Sequence, residues 1–275
     1  MEQRSNGEIE IKIYPSDQLG TQRQLVEGVQ LGTVDMVLTG DQVASFVEEF
    51  HMLSLPFLFD DIDHIARTMD GEIGNWFVDK ASQKGIVVLG FWENGLRHMS
   101  NNKRPINVPD DLKGLKIRVP NSPLTIEFFR MLGAAPTPMG FGEVYSALQL
   151  GTVDGQENPV AHMVNQHFYE VQNYFSLTGH QRILEPLLIS KMVFDRLSPE
   201  HQAILKEEGK NTAVFSRKLV SSLEEEQFKA LEGKIEINEV PDKEPFRAVI
   251  GPLYDGMKKR FGPEILDKIR AAASK

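Results

Sequence analysis

Apolar and polar positions change period several times along the chain, and each period predicts an element. In residues 8–14, Ile9, Ile11 and Ile13 alternate with Glu10 and Lys12, which predicts a strand. Residues 21–31 carry helical spacing, and residues 34–38 read as a short buried strand. Residues 51–59 form an apolar run broken by Pro56, read as a buried connector. Helices are predicted over 61–69 and 72–84, then a strand over 86–92. From Arg97 the texture turns polar and is punctuated by Pro105, Pro109 and Gly114, as in a crossover between lobes. There follow a strand at 116–119, a helix at 125–132, a strand at 134–138 and a helix at 142–149. A helix then opens at Val160, and strands are expected at 174–178 and 183–190. Ser198-Pro199-Glu200 supplies an N-cap, a proline at N1 and an acid in the first turn. The helical pattern it opens runs to about residue 231, long enough to lie along two lobes. A strand at 235–237 and helices over 244–260 and 263–273 close the chain.

One segment occurs twice. Residues 30–35 and 149–154 both read Gln-Leu-Gly-Thr-Val-Asp. Each copy follows a helical stretch, with Gly32 or Gly151 placed as a C-cap and Val-Asp opening a strand. Each is followed by residues suited to a cleft: Thr39, Gly40, Asp41 and Gln42 in one, Gln156, Glu157, Asn158 and Pro159 in the other. Coincidence is the plain alternative, because helix–Gly–strand is a common device. Six identical residues in matching contexts favour one device used in two α/β lobes, each aiming a strand end at a shared crevice.

A chain of 275 residues can hold two cores. A net charge of −9 with no basic block argues against a nucleic-acid partner, and an anionic ligand would need a local positive site. No cysteine is present, so disulfides and thiolate chemistry are excluded. No apolar stretch of about 18 residues could span a membrane, and residues 1–7 show no apolar signal-peptide core.

Several residues offer binding chemistry. Arg118 lies in a short strand with Ile117 and Val119 on either side, and Pro120 ends it. It could be a snorkelling surface arginine, or a guanidinium that grips a carboxylate bidentately at the crevice. Asn158 offers a donor and an acceptor, and Pro159 holds it extended; an ordinary turn is the alternative. Trp92 could stack on an apolar ring face, Glu93 and Asn94 could bond hydroxyls, and Arg97 could add a positive charge. Equally, Trp92 could be core and Arg97 the partner of an acid. The seven histidines are scattered, without a metal-binding spacing. Asp60, Asp61, Asp63 and His64 read better as an acidic helix start than as metal ligands. No phosphate loop, nucleophile elbow or dinucleotide fingerprint is present, and no nucleophile–base pair stands out.

Three runs together resemble the solute-binding subunits of tripartite ATP-independent periplasmic (TRAP) transporters, of the dicarboxylate-binding type. They are Gly114-Leu-Lys-Ile-Arg-Val-Pro120, Leu132-Gly-Ala-Ala-Pro-Thr-Pro138 and Glu143-Val-Tyr-Ser-Ala-Leu-Gln-Leu-Gly-Thr-Val-Asp-Gly-Gln-Glu-Asn-Pro159. Tyr14-Pro-Ser-Asp-Gln-Leu-Gly20 and Leu55-Pro-Phe-Leu-Phe59 are similar to that family's first lobe. The resemblance implies an α/β, two-lobed clamp of periplasmic-binding-protein type II, with a long helix spanning both lobes. It implies a periplasmic, non-catalytic protein without cofactor or metal, which passes an organic acid anion to membrane subunits. The family's carboxylate-clamping arginine falls on Arg118, its second-lobe asparagine on Asn158 and a further arginine on Arg97. Trp92-Glu-Asn-Gly-Leu-Arg97 is most similar to members that bind sugar acids such as uronates, with Glu93 and Asn94 reading hydroxyls. His180, Asp41 and Gln42 match pocket positions less closely.

In this reading lobe one is 1–94 with 183–222, and lobe two is 95–182 with 223–250. Helices in 251–275 brace the pair. Family members carry a signal peptide, a strand and a helix ahead of the segment matching residues 8–14, so this chain is expected to lack that first strand and helix, through either a mis-set start or a real truncation. The alternatives are a C4-dicarboxylate ligand, a partner that presents its ligand to a sensor kinase, or an enzyme acting on acidic sugars.

Overall fold

The computed structural model describes residues 1–15 and 17–273. The helices and strands, in chain order, are α1 (Gln22–Leu31), β1 (Met36–Leu38), α2 (Ile62–Met69), α3 (Glu72–Ser82), β2 (Ile86–Asn101), β3 (Lys116–Val119), α4 (Pro123–Met131), β4 (Ala135–Pro138), α5 (Val144–Gln149) and β5 (Gly155–Pro159). They continue with α6 (Val160–Asn165), β6 (Tyr174–Ser190), α7 (Lys191–Phe194), α8 (Pro199–Leu231), β7 (Glu236–Glu239), α9 (Glu244–Arg247), α10 (Gly251–Phe261) and α11 (Glu264–Ala271).

The strands form a single sheet in the order β1-β6-β2-β5-β3-β4, with β7 pairing β6. Its backbone is the antiparallel pair of long strands β2 and β6. β1 attaches to one end of this pair, at Leu187–Ile189 of β6. β5 attaches to the other end, at residues 97–101 of β2, and carries β3 and β4 in parallel. Between the two ends the ladder slips register at Glu93/Leu96 and again at Arg97/Met99. Gly95 sits in the first slip with φ of 110°, and a Cβ there would lie 3.0 Å from Pro159. A slipped, glycine-bearing stretch is where a shared strand bends most readily.

Two sequence expectations merge here. Polar residues beyond Arg97 were read as a crossover, and two short strands were expected at 174–178 and 183–190. Instead β2 continues to Asn101, and β6 is one strand of 17 residues. The polar residues stay in the strand because they are buried and bonded. Arg97 binds Glu157, His98 Nδ1 accepts from Gly179 N at 2.9 Å, and Ser100 donates to Gln172 at 2.9 Å.

The strand expected at 8–14 does not form; those residues join no ladder, and Ile13 is 83% exposed. Alternation supplies an apolar face, but a strand also needs a backbone neighbour. Among the described residues β1 pairs with β6 alone. The helix expected over 244–260 is interrupted, α9 and α10 being separate.

The repeated segment is one device at both sites. Gly32 and Gly151 have φ of 75° and 68°. Thr33 N bonds Gly28 O and Thr152 N bonds Ala147 O, five residues back, both at 2.9 Å. The next residue, Val34 or Val153, bonds the same carbonyl. α1 starts on a capping box of Thr21 and Gln24, and Asp61 caps α2 by accepting from His64 N at 2.6 Å. The acidic cluster at 60–64 is therefore a helix start, as its composition suggested.

Helix α8 runs for 33 residues, roughly 50 Å, across β2. Gly90 of β2 and Gly209 of α8 permit the approach, since a Cβ on Gly90 would stand 2.5 Å from Gly209 O. Arg217 fastens the helix by donating to Phe91 O at 3.0 Å and pairing with Asp70. The C-terminal helices pack on the helical stretch 48–82: Tyr254 Oη donates to Pro56 O at 2.8 Å, and His64 bonds Ile269 O at 2.7 Å. The largest apolar cluster links these helices to Ile117 and Val119 of β3 and to Phe128 and Phe129 of α4. A smaller one joins α5, α6 and Phe175 to Leu231 at the end of α8.

Candidate functional site

A cavity of about 290 Å³ opens beside the register slip of β2 and β6. Arg118, Arg97 and Asn158 line it from β3, β2 and β5; Asp41 and Gln42 line it from the 3₁₀ turn after β1; Asn94 lines it from β2. Six of the nine residues singled out in the sequence therefore meet in one cavity.

Arg118 is 3% exposed. Nη2 donates to Met139 O at 2.8 Å, Nε has no partner, and the guanidinium lies over the Phe141 ring at 6.0 Å. Among the described residues no carboxylate lies within salt-bridge distance of it. Burial pushes its pKa down to about 10, with nearby Arg97 adding to the push and Glu157 pulling back. An unpaired, buried cation facing a cavity is costly unless an anion arrives.

Arg97 is already paired. Its Nε and Nη2 fork onto the two carboxylate oxygens of Glu157 at 2.5 and 2.7 Å, and Nη2 also donates to Asn158 Oδ1 at 2.9 Å. Burial would raise the Glu157 carboxyl, but Arg97 and His180 outweigh it and hold the pKa at about 2. His180 Nε2 lies 3.3 Å from Glu157, with its Nδ1 on Thr178 Oγ1 at 2.9 Å. Asn158 Nδ2 donates to Gln156 at 2.5 Å, and its Oδ1 also meets His162 Nδ1 at 2.9 Å. Burial, followed by Arg97, pushes His162 down to about 4, so it is neutral at pH 7. This network fixes Arg97 and Asn158 in one orientation and leaves Arg118 as the buried cavity cation without a counter-charge among the described residues.

His180 lies behind the wall, contacting Phe128, Phe129 and Glu157, and does not line the cavity. Glu93 does not reach it either, because strand alternation turns it to the opposite face of β2, where it pairs with Arg182. Trp92 lies on the cavity face but one pair along, opposite Glu185. There it lines a larger, mostly apolar cavity of about 670 Å³ with Ile11, Ile13 and Leu187, and its Nε1 has no partner among the described residues. Sequence reasoning did not pick out Arg23, Phe141, His162 or Glu185 as cavity residues, nor Glu157 as the partner of Arg97. Glu185 carried a signal, an acid inside the apolar run Ile183-Leu-Glu-Pro-Leu187.

Two lobes joined by shared strands around a cavity with one buried, unpaired guanidinium among the described residues suit a ligand-binding clamp for anions. The chain belongs to the bacterial extracellular solute-binding proteins of family 7, the DctP family of TRAP solute-binding subunits, whose model matches residues 1–260. It is 36% identical over 276 residues to the 2,3-diketo-L-gulonate-binding periplasmic protein YiaO of Escherichia coli, covering 98% of this chain and 83% of that one. A TRAP periplasmic solute-binding protein from Polaromonas sp. JS666 bound to D-erythronate superposes with a TM-score of 0.95 at 37% identity, covering 100% of this chain and 91% of that one. Another, from Chromohalobacter salexigens with bound D-glucuronate, gives a TM-score of 0.94 at 32% identity, covering 98% and 91%.

Proposed function

We propose that this protein captures a sugar-acid anion, such as a uronate or aldonate, in the periplasm and delivers it to the membrane subunits of a TRAP transporter without altering it. The carrying observation is Arg118, buried, unpaired and open to a polar cavity. Its guanidinium grips the carboxylate, Arg97 and Asn158 are held ready by Glu157, and Asp41, Gln42 and Asn94 meet the hydroxyls. His180 acts behind the wall by orienting Glu157. Closure is a bend of β2 and β6 at the register slip, with lobe one as 1–94 and 183–222 and lobe two as 95–182 and 223–250. Related proteins bound to D-erythronate and D-glucuronate support the ligand class.

A thermal-shift screen against uronates, aldonates, C4 dicarboxylates, keto acids and amino acids tests this reading. A ligand at ~1,000 times its Kd adds ~4 kcal/mol, a rise of roughly 8–16 °C for a chain of this size. A cooperative melt unmoved by every acid would refute it.

A further inference from the structure

Resting on the reading of this cavity as an acid-anion site, we propose that Glu185, held by Asn94, sets its specificity. The pair accepts hydrogen bonds from the hydroxylated end of the ligand and excludes acids with a second carboxylate there. The bound acid is then a polyhydroxy monocarboxylate, not a dicarboxylate.

The placement follows from the ladder. Glu185 of β6 stands opposite Trp92 of β2, so it shares a face with Trp92 and with Asn94 two residues on. Asn94 Nδ2 donates to Glu185 Oε1 at 2.7 Å, and no protein group donates to Oε2 among the described residues. One of the two Asn94 amide hydrogens is thus spent on Glu185, and the groups left to meet hydroxyls are chiefly acceptors, Glu185 Oε2 and Asn94 Oδ1. Hydroxyls complement acceptors; a carboxylate does not. Arg118 enters the same cavity from β3, three strand spacings away across β2 and β5. The cavity therefore has a cationic wall and an acceptor wall, and a ligand with unlike ends fits both.

The surrounding charges strengthen the exclusion. Asp41 and Asp17 also line the cavity, and neither they nor Glu185 forms an ion pair among the described residues; burial pushes the Asp41 carboxyl up, so it adds to the repulsion only where it is ionised. Of the cations, Arg97 is committed to Glu157, and Arg23 is exposed. His162 is neutral at pH 7. Burial pushes the Glu185 carboxyl up to about 7, with Arg97 and the Asn94 bond pulling it down and Asp41 raising it further. Above that pH Glu185 is an anion and repels a second carboxylate. Below it, the protonated group can donate to one.

The test is calorimetry at pH 8 with four monoacids, D-galacturonate, D-glucuronate, D-galactonate and D-erythronate, each beside the diacid of the same carbon chain, for wild type, Glu185→Gln and Arg118→Ala. The expected wild-type preference for the best monoacid over its diacid is at least 100-fold, falling below tenfold in Glu185→Gln. Wild type alone supplies a second measurement, independent of how the variant folds: its preference should shrink several-fold from pH 8 to pH 6. A diacid bound within tenfold of its monoacid by wild type overturns the proposal, as does a preference that neither Glu185→Gln nor pH alters. Failure of the underlying site reading looks different: Arg118→Ala would then leave acid binding unchanged.

Discussion

Arg118→Ala should move the stability of the empty protein and its ligand affinity in different directions. In the empty protein the guanidinium is buried, unpaired and held by one bond to Met139 O. Its pKa, pushed down to about 10, corresponds to roughly 3 kcal/mol against the charged form. Both folded and unfolded chains carry the proton at pH 7, so that penalty is fully present there. Alanine removes it, and loses about 1 kcal/mol with the Met139 bond and about as much again in stem packing. The expected change is a melting temperature unaltered or raised by up to ~4 °C. Binding should fall by ~2–5 kcal/mol, roughly 30- to 5,000-fold, because a charge-assisted fork is lost. Arg118→Lys should lie between, keeping charge but not the fork. Differential scanning fluorimetry on empty protein and calorimetry with the best acid read the two quantities. A variant that melts well below wild type yet binds within threefold of it would show that Arg118 is a structural residue, and the clamp reasoning would fail.

Two further predictions concern the wall behind the ligand. Glu157→Gln leaves Arg97 buried without its counter-charge, so a loss of about 3 kcal/mol and a melt roughly 6–12 °C lower are expected; a change under 2 °C would show that the pair is not stabilising. His98, pushed down to about 3 by burial and then by nearby His180, stays neutral in the folded state while an unfolded chain binds a proton below its ordinary value near 6.5. Stability should therefore drain away as pH falls through that window, by up to ~5 kcal/mol. His98→Asn keeps an acceptor for Gly179 N and should flatten this acid limb in urea titrations; an unchanged limb would place the sensitivity elsewhere.

The sequence was most legible where a local rule and a burial pattern agree. Ser198-Pro199 opens α8 because caps act within one turn, and the two Gly turns repeat because φ near +70° favours glycine wherever it falls. Arg118 and Asn158 were visible because each lies near the end of a short strand closed by proline, Pro120 or Pro159. Pairing across the sheet was not visible. Residues 8–14 alternate correctly but lack a neighbour, and β2 hides its second half because Arg97, His98 and Ser100 look polar until their buried partners are known. Glu93 and Asn94 looked equivalent in the chain, yet alternation sends one to Arg182 and the other to the cavity. Glu157 lies in the motif Gln156-Glu-Asn-Pro159, but its role as the counter-ion of Arg97, 60 positions away, is a fact of register.

The interleaving of the two shared strands also decides how a new ligand preference could be acquired. Cavity residues 41, 94, 97, 118, 158 and 185 come from the turn after β1 and from β2, β3, β5 and β6, so no single element carries the cavity. A recombination crossover anywhere between residues 41 and 185 transplants part of a site into the remainder of another. Relatives built on this sheet would therefore diverge in ligand by scattered single substitutions, and a grafted chimera would need both junctions outside residues 41–185 to carry these contacts intact.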